Sequence, residues 1–109
     1  MYYVYMLRCE NDSIYTGIAK DLERRMEEHF SQDEKCAKYT KSHKPKKLEM
    51  AWKTENKSLA SKLEYAIKTL DKVKKEELVK KPKLLDEFLG ERIDSTLYKK
   101  YKIDKFIQK

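Results

Sequence analysis

The chain reads as an α/β (α+β) fold: a small sheet of about three strands flanked by helices. Three observations predict it. Residues 2–8 (YYVYMLR) and 14–18 (IYTGI) are aromatic and β-branched runs separated by turn-forming residues. Two later segments, around 21–30 and 58–74, repeat apolar residues at helical spacing. A chain of 109 residues fits one domain with a modest core.

The elements follow in order. Residues 9–13 (CENDS) hold Asn11-Asp12-Ser13, which is turn chemistry, so the first two strands form a hairpin. Asp21 caps a helix to about Phe30, with Leu22, Met26, His29 and Phe30 on one stripe. Residues 31–46 read as a basic loop containing Tyr39. Residues 47–54 (KLEMAWKT) alternate as a third strand, with Leu48, Met50 and Trp52 expected on one face. A second helix is expected from about Ser58 to Lys74, capped by Asn56 or Ser58, with Leu59, Leu63, Ala66, Ile67, Leu70 and Val73 inward. Residues 75–81 suggest a short helix stopped at Pro82. Leu84, Leu85, Phe88 and Leu89 form an apolar patch fit to dock back. Residues 95–107 look helical. The organisation is thus a domain over 1–82 and a helical extension over 83–109, packed on or trailing from it.

Composition narrows the function classes. There are 26 Lys plus Arg against 19 Asp plus Glu, a net charge of +7. The excess concentrates in residues 35–47 (KCAKYTKSHKPKK), which carry six lysines and no acid. Such a stripe suits phosphate backbones, although a solvated lysine loop has the same composition. Cys9 and Cys36 form no metal-ligand spacing and read as reduced thiols. No apolar run approaches the ~20 residues that span a bilayer, and no signal peptide is evident. A cytoplasmic protein without haem or nucleotide cofactor is expected; its oligomeric state is not legible.

Several residues are typed and placed for chemistry. Arg25 and His29 lie four apart on one helix face, at the edge of the apolar stripe, a place for an arginine to meet a phosphate or a carboxylate, and equally for one that snorkels over its own helix beside a half-buried histidine. Glu64 lies at the border of its helix's apolar face beside Ala60. It can hold a hard cation such as Mg²⁺, and equally an i,i+4 pair with Lys68. Gly17, inside a strand, marks a bulge or the close approach of another backbone or ligand. Tyr5 and Tyr15 can pack with wet hydroxyls, or act in proton transfer if a neighbour such as His29 takes the proton.

Taken in order, these residues resemble the GIY-YIG nuclease superfamily. Tyr3-Val4-Tyr5, Tyr15-Thr16-Gly17 and LERR with Arg25 and His29 carry the likeness, and SLASKLEYAIKTL is similar to the family's glutamate-bearing helix. YYVYMLRC, IYTGIAKDLERRMEEH and CAKYTKSHKPKKL resemble its small single-domain bacterial branch, over about residues 2–80. The resemblance implies a three-stranded antiparallel sheet and metal-dependent cleavage of nucleic acid, DNA before RNA, with little sequence preference and a place in DNA repair among its uses. Tyr5, Tyr15, Arg25, His29 and Glu64 would be catalytic. Glu64 would bind one Mg²⁺ or Mn²⁺, Arg25 would offset charge on the phosphate, and Tyr5 would activate water or relay its proton through Tyr15 or His29. Gly17 would leave room for the substrate backbone, and Lys38, Tyr39, Lys41 and Lys44 would bind it, Tyr39 by stacking on a base. The sequence departs from the family at Tyr3, in place of the first glycine, and at Ala19, in place of a frequent threonine. The alternative reading is a DNA- or RNA-binding module that keeps the nuclease fold and cuts poorly or not at all.

Overall fold

The computed structural model of the chain describes residues 1–103. The hairpin forms as the turn chemistry dictates: β1 (Tyr2–Cys9) pairs antiparallel with β2 (Ile14–Ala19), and Asp12 takes the left-handed conformation that closes the turn. β1 also pairs antiparallel with β3 (Pro45–Thr54) and is the central strand. A two-residue strand β4 (Lys99–Lys100) extends the other edge against Trp52 and Lys53. The sheet therefore has four strands in the order β2-β1-β3-β4, one more than expected.

The alternation expected in β3 breaks at Glu49. Met50 stands opposite Met6 and Leu48 opposite Leu7, so Glu49 is an extra residue, a β-bulge. Everything before it switches face: Leu48 packs with Tyr5, Leu7 and Ala51, while Met50 and Trp52 pack on the opposite side. The bulge also turns the Glu49 carboxylate to Arg8, whose Nε donates to it at 2.9 Å.

Two cores lie on the two faces. Helix α1 (Leu22–Phe30) is capped by Asp21, which accepts from the Arg24 N–H, and buries Leu22 and Met26 against Tyr5, Leu7 and Leu48. The other face holds Val4, Met6, Met50 and Trp52 under α3 (Lys57–Lys68), α4 (Lys72–Lys80) and α5 (Leu84–Leu89). The long helix expected to reach Lys74 is divided: Thr69 closes α3 and Asp71 caps α4, so Val73 points to solvent at 66% exposure. The expected loop at 31–46 contains a short helix, α2 (Lys38–Ser42).

The segment after Pro82 belongs to the main core. Leu85, Leu89, Ile93 and Tyr98 are buried with the sheet residues, and the Tyr98 hydroxyl donates to the Leu59 carbonyl at 2.7 Å. The helix expected over 95–107 is instead a 3-10 turn at Ser95–Leu97 followed by β4; the part of that expectation beyond Ile103 falls outside the described residues. Thr54 holds the turn by donating to the Leu97 carbonyl at 2.9 Å. Cys9 and Cys36 are buried free thiols. No helix among the described residues is long and apolar enough to cross a membrane.

Candidate active site

Tyr5 and Gly17 face each other across β1 and β2. A Cβ on Gly17 would lie 2.6 Å from the Tyr5 hydroxyl oxygen, 2.8 Å from its Cζ and 3.0 Å from the Tyr15 ring. Glycine is required because the Tyr5 ring lies across this position. The space expected to admit a substrate backbone is occupied by the protein's own phenol.

From Gly17 the Tyr5 hydroxyl reaches His29, buried in the last turn of α1, at 2.7 Å from Nε2. His29 Nδ1 lies 2.8 Å from the Thr40 hydroxyl on α2. Thr40 donates its one hydrogen to the Ala37 carbonyl at 3.0 Å, so towards His29 it offers a lone pair. The hydrogen-bond network therefore assigns the proton to Nδ1 and the free lone pair to Nε2, which accepts from Tyr5. Burial, reinforced by the nearby Arg25 charge, lowers the His29 pKa to about 4, so the ring is neutral at pH 7. Burial also pushes Tyr5 far above the usual phenol range, against the opposing pull of Arg25. The proton rests on Tyr5.

The charged residues stand around this chain of hydrogen bonds. Burial works against the Arg25 charge, but Glu28 and Tyr5 outweigh it and keep the guanidinium protonated. Its Nη1 donates to Glu28 at 2.9 Å and to the Lys35 carbonyl at 2.6 Å. Glu64 forms the i,i+4 pair with Lys68 at 3.3 Å, and its side chain is 24% exposed. Its negative charge is felt at Tyr5, and the Lys68 ammonium lies 5.8 Å from the centre of the Tyr15 ring. Helix α3 thus brings a carboxylate to the same neighbourhood as the two tyrosines and Arg25.

Tyr15 continues the cluster outward. Its ring is 6.2 Å from Tyr5, 5.7 Å from His29 and stacked at 5.9 Å on Tyr39. Tyr39 stacks at 4.2 Å on His43 and donates its hydroxyl to Ser13. It is engaged by the protein's own rings, whereas Lys38, Lys41 and Lys44 are exposed around it.

Among the described residues no group of three His, Cys, Asp or Glu side chains could hold a metal ion. The donor set does not suit an ion caged by protein. A half-exposed single carboxylate does suit Mg²⁺ or Mn²⁺, hard ions that keep most of their waters and take the remaining oxygens from a phosphate.

Sequence reasoning missed three contributors. Thr40 orients His29, and the only signal was a small polar residue in the loop motif. Glu28 anchors Arg25 from one turn on, a spacing visible in the helix. Arg8 bonds Glu49 and Glu76 at 2.9 and 2.6 Å and the Asp12 carbonyl at 3.0 Å, joining the hairpin turn, the bulge and α4. Nothing local announces that network.

Residues 1–77 match the family model described as the GIY-YIG catalytic domain. The UPF0213 protein FN1575 of Fusobacterium nucleatum is 54% identical over 81 residues, covering 74% of this chain and 79% of the relative. The UPF0213 protein SSP2268 of Staphylococcus saprophyticus is 41% identical over 78 residues, covering 72% and 93%. The solution structure of the UPF0213 protein BH0048 from Bacillus halodurans is 41% identical, covers 73% of this chain and 84% of that one, and gives a TM-score of 0.48. With a matching domain over most of its length and relatives this similar, the chain belongs to the GIY-YIG family.

Proposed function

We propose that the protein hydrolyses phosphodiester bonds of nucleic acid, DNA in preference to RNA, with a divalent cation and little sequence preference. The observation that carries this reading is the 2.7 Å contact from the Tyr5 hydroxyl to a His29 nitrogen whose lone pair is held free, with Arg25 and Glu64 beside it. Tyr5 is a relay in this reading and not a free-standing base, because its phenolate is strongly disfavoured. Its oxygen takes a proton from the attacking water as its own proton passes to His29 Nε2. Charging a buried imidazole of pKa about 4 at pH 7 costs about 4 kcal/mol. The anionic phosphate offsets that cost once bound, since a negative neighbour favours the imidazolium. Arg25, which also hydrogen-bonds Tyr5, would turn its fork to the phosphate and stabilise the charge that grows there. Mg²⁺ or Mn²⁺ at Glu64 would supply Lewis-acid polarisation of the phosphate when bound.

One observation favours the second reading, a module that binds nucleic acid and cuts poorly. Tyr5 is fully buried, Arg25 is held by Glu28 and Lys35, and Glu64 is held by Lys68. The test is cleavage of labelled single-stranded, duplex and branched DNA and RNA with Mg²⁺ or Mn²⁺, for wild type, Glu64→Gln and His29→Gln. Metal-dependent cutting lost in Glu64→Gln supports the nuclease. Salt-sensitive binding without cleavage under any metal would establish the module instead.

A further inference from the structure

On the sheet face opposite Tyr5 and His29 there is a groove of about 580 Å³. That volume is in the ~300–1,000 Å³ range of ligand-sized clefts. Trp52 contributes from β3, and every other lining residue comes from positions 80–100, past the end of the matched domain at residue 77. The extension builds this groove over the sheet.

Its chemistry is two-sided. Leu85, Pro82 and Tyr98 give an apolar floor, and Lys80, Lys81, Lys83 and Lys100 stand around it. All four lysines are exposed. Asp86 is the one acid in the lining, and it already accepts from Ser95 at 2.8 Å. Trp52 is only 2% exposed. The trace of surface it keeps opens on the groove. An apolar cleft ringed by ammonium groups fits a ligand that carries both a flat ring and a phosphate.

We infer that this groove is a second binding site for a single strand of nucleic acid, with backbone phosphates on Lys80, Lys81, Lys83 and Lys100 and a base seated in the apolar cleft between Pro82 and Tyr98. Four positive side chains against one engaged carboxylate favour a polyanion, and the apolar cleft between them favours a strand with bases over a simple acidic surface. The inference rests on the nucleic-acid part of the proposed function and is independent of cleavage. Both sites on one strand raise the effective concentration of the scissile segment at Tyr5 without new contacts there.

Trp52 is the only tryptophan, so its emission reports on this groove directly. The experiment is a metal-free titration with a fluorescein-labelled oligothymidylate, reading Trp52 emission and fluorescein anisotropy together. It uses the full chain as wild type, Glu64→Gln, and the triple variant Lys80→Gln/Lys81→Gln/Lys83→Gln. The three lysines are exposed, and a thermal melt confirms that the variant folds. Wild type and Glu64→Gln are expected to show a saturable change in Trp52 emission. In the triple variant binding is expected to weaken about tenfold or more, with the log–log salt slope reduced by about 2. Anisotropy that rises equally in wild type and triple variant with Trp52 emission unchanged would overturn the groove while leaving nucleic-acid binding elsewhere intact. A rise in neither signal would overturn both. An equally charged polyglutamate that shifts Trp52 emission as strongly as the oligonucleotide would also overturn the inference and make the groove a site for acidic protein.

Discussion

Acidification tests the buried hydrogen-bond chain without any substrate. His29 in the folded protein has a pKa of about 4, against 6.5 for an ordinary imidazole. Below pH 6.5 the unfolded chain takes up a proton that the folded chain refuses until about pH 4. Stability from this group is therefore full above pH 6.5 and falls as the pH is lowered through that window. The gap of 2.5 units is worth about 3 kcal/mol in total, and about 2 kcal/mol of it is lost by pH ~5. Tyr5, Tyr15 and Thr40 face the ring; the Arg25 charge disfavours the imidazolium and the Glu28 charge favours it. Arg8 holds Glu76 below the usual carboxylate range, so that pair is lost at still lower pH. The assay is urea unfolding of wild type and His29→Gln at several pH values between about 7 and about 4.5. The variant sets its own baseline stability, so the slopes are compared and not the absolute values. Wild type is expected to lose about 2 kcal/mol more than the variant between pH ~7 and pH ~5. Parallel curves would mean that His29 titrates normally and that the neutral relay at Tyr5 is wrong.

Three further outcomes follow from the same geometry. Gly17→Ala places a Cβ 2.6 Å from the Tyr5 oxygen and is expected to cost about 1–3 kcal/mol, read as a lower urea midpoint, because β1 and β2 cannot separate to absorb it. Thr40→Val keeps the volume but removes the acceptor for His29 Nδ1–H, and nitrogen-15 NMR is expected to show loss of the Nδ1–H tautomer, while Thr40→Ser retains it. An unchanged spectrum in the valine variant would refute the assignment. Arg8→Met leaves the Glu49 side chain at 13% exposure with its principal cation gone; chemical denaturation is expected to show a loss of about 1–2 kcal/mol, recovered in part by adding Glu49→Gln.

What the sequence made legible was local. Tyr and β-branched runs around Asn11-Asp12-Ser13 make a hairpin wherever they occur, and Asp21 caps α1 by contacts within its own first turn. The failures share a cause: a distant partner overrides the local pattern. Period-two reasoning put Leu48 with Met50, but the bulge at Glu49 moves Leu48 to the face where Leu7 and Tyr5 pack against α1. Helical spacing ran on to Lys74, but Asp71 caps a separate helix by accepting from the Lys74 N–H. Residues 99–100 form a strand because the edge of β3 was open at Trp52 and Lys53, which the tail's own composition cannot reveal. At the site, it was the family resemblance, carried by residue types and their order, that collected Tyr5, Tyr15, Arg25, His29 and Glu64 in one neighbourhood. Their present partners were not legible, because Glu28, Lys35 and Thr40 are ordinary residues made relevant only by folding.

Those partners give the cluster its character. A substrate phosphate must compete with Glu28 and the Lys35 carbonyl for Arg25, and with Lys68 for Glu64. These are partly exposed ion pairs and one carbonyl contact, worth about 1 kcal/mol for each such pair, so exchange for an anionic phosphodiester costs little. Tyr5–His29–Thr40 is different: it is buried, fully bonded and costly to disturb. The site therefore divides into a rigid relay and an exchangeable ring of charge. In the proposed nuclease reading, catalysis would wait on the charged ring, since the proton remains on Tyr5 until an anion arrives to stabilise a charged His29. A chain that binds nucleic acid through its lysines but never draws Arg25 and Glu64 from their internal partners would stop at binding. The balance between nuclease and binding module is thus set by Lys68 and Glu28 as much as by the residues that would do the chemistry.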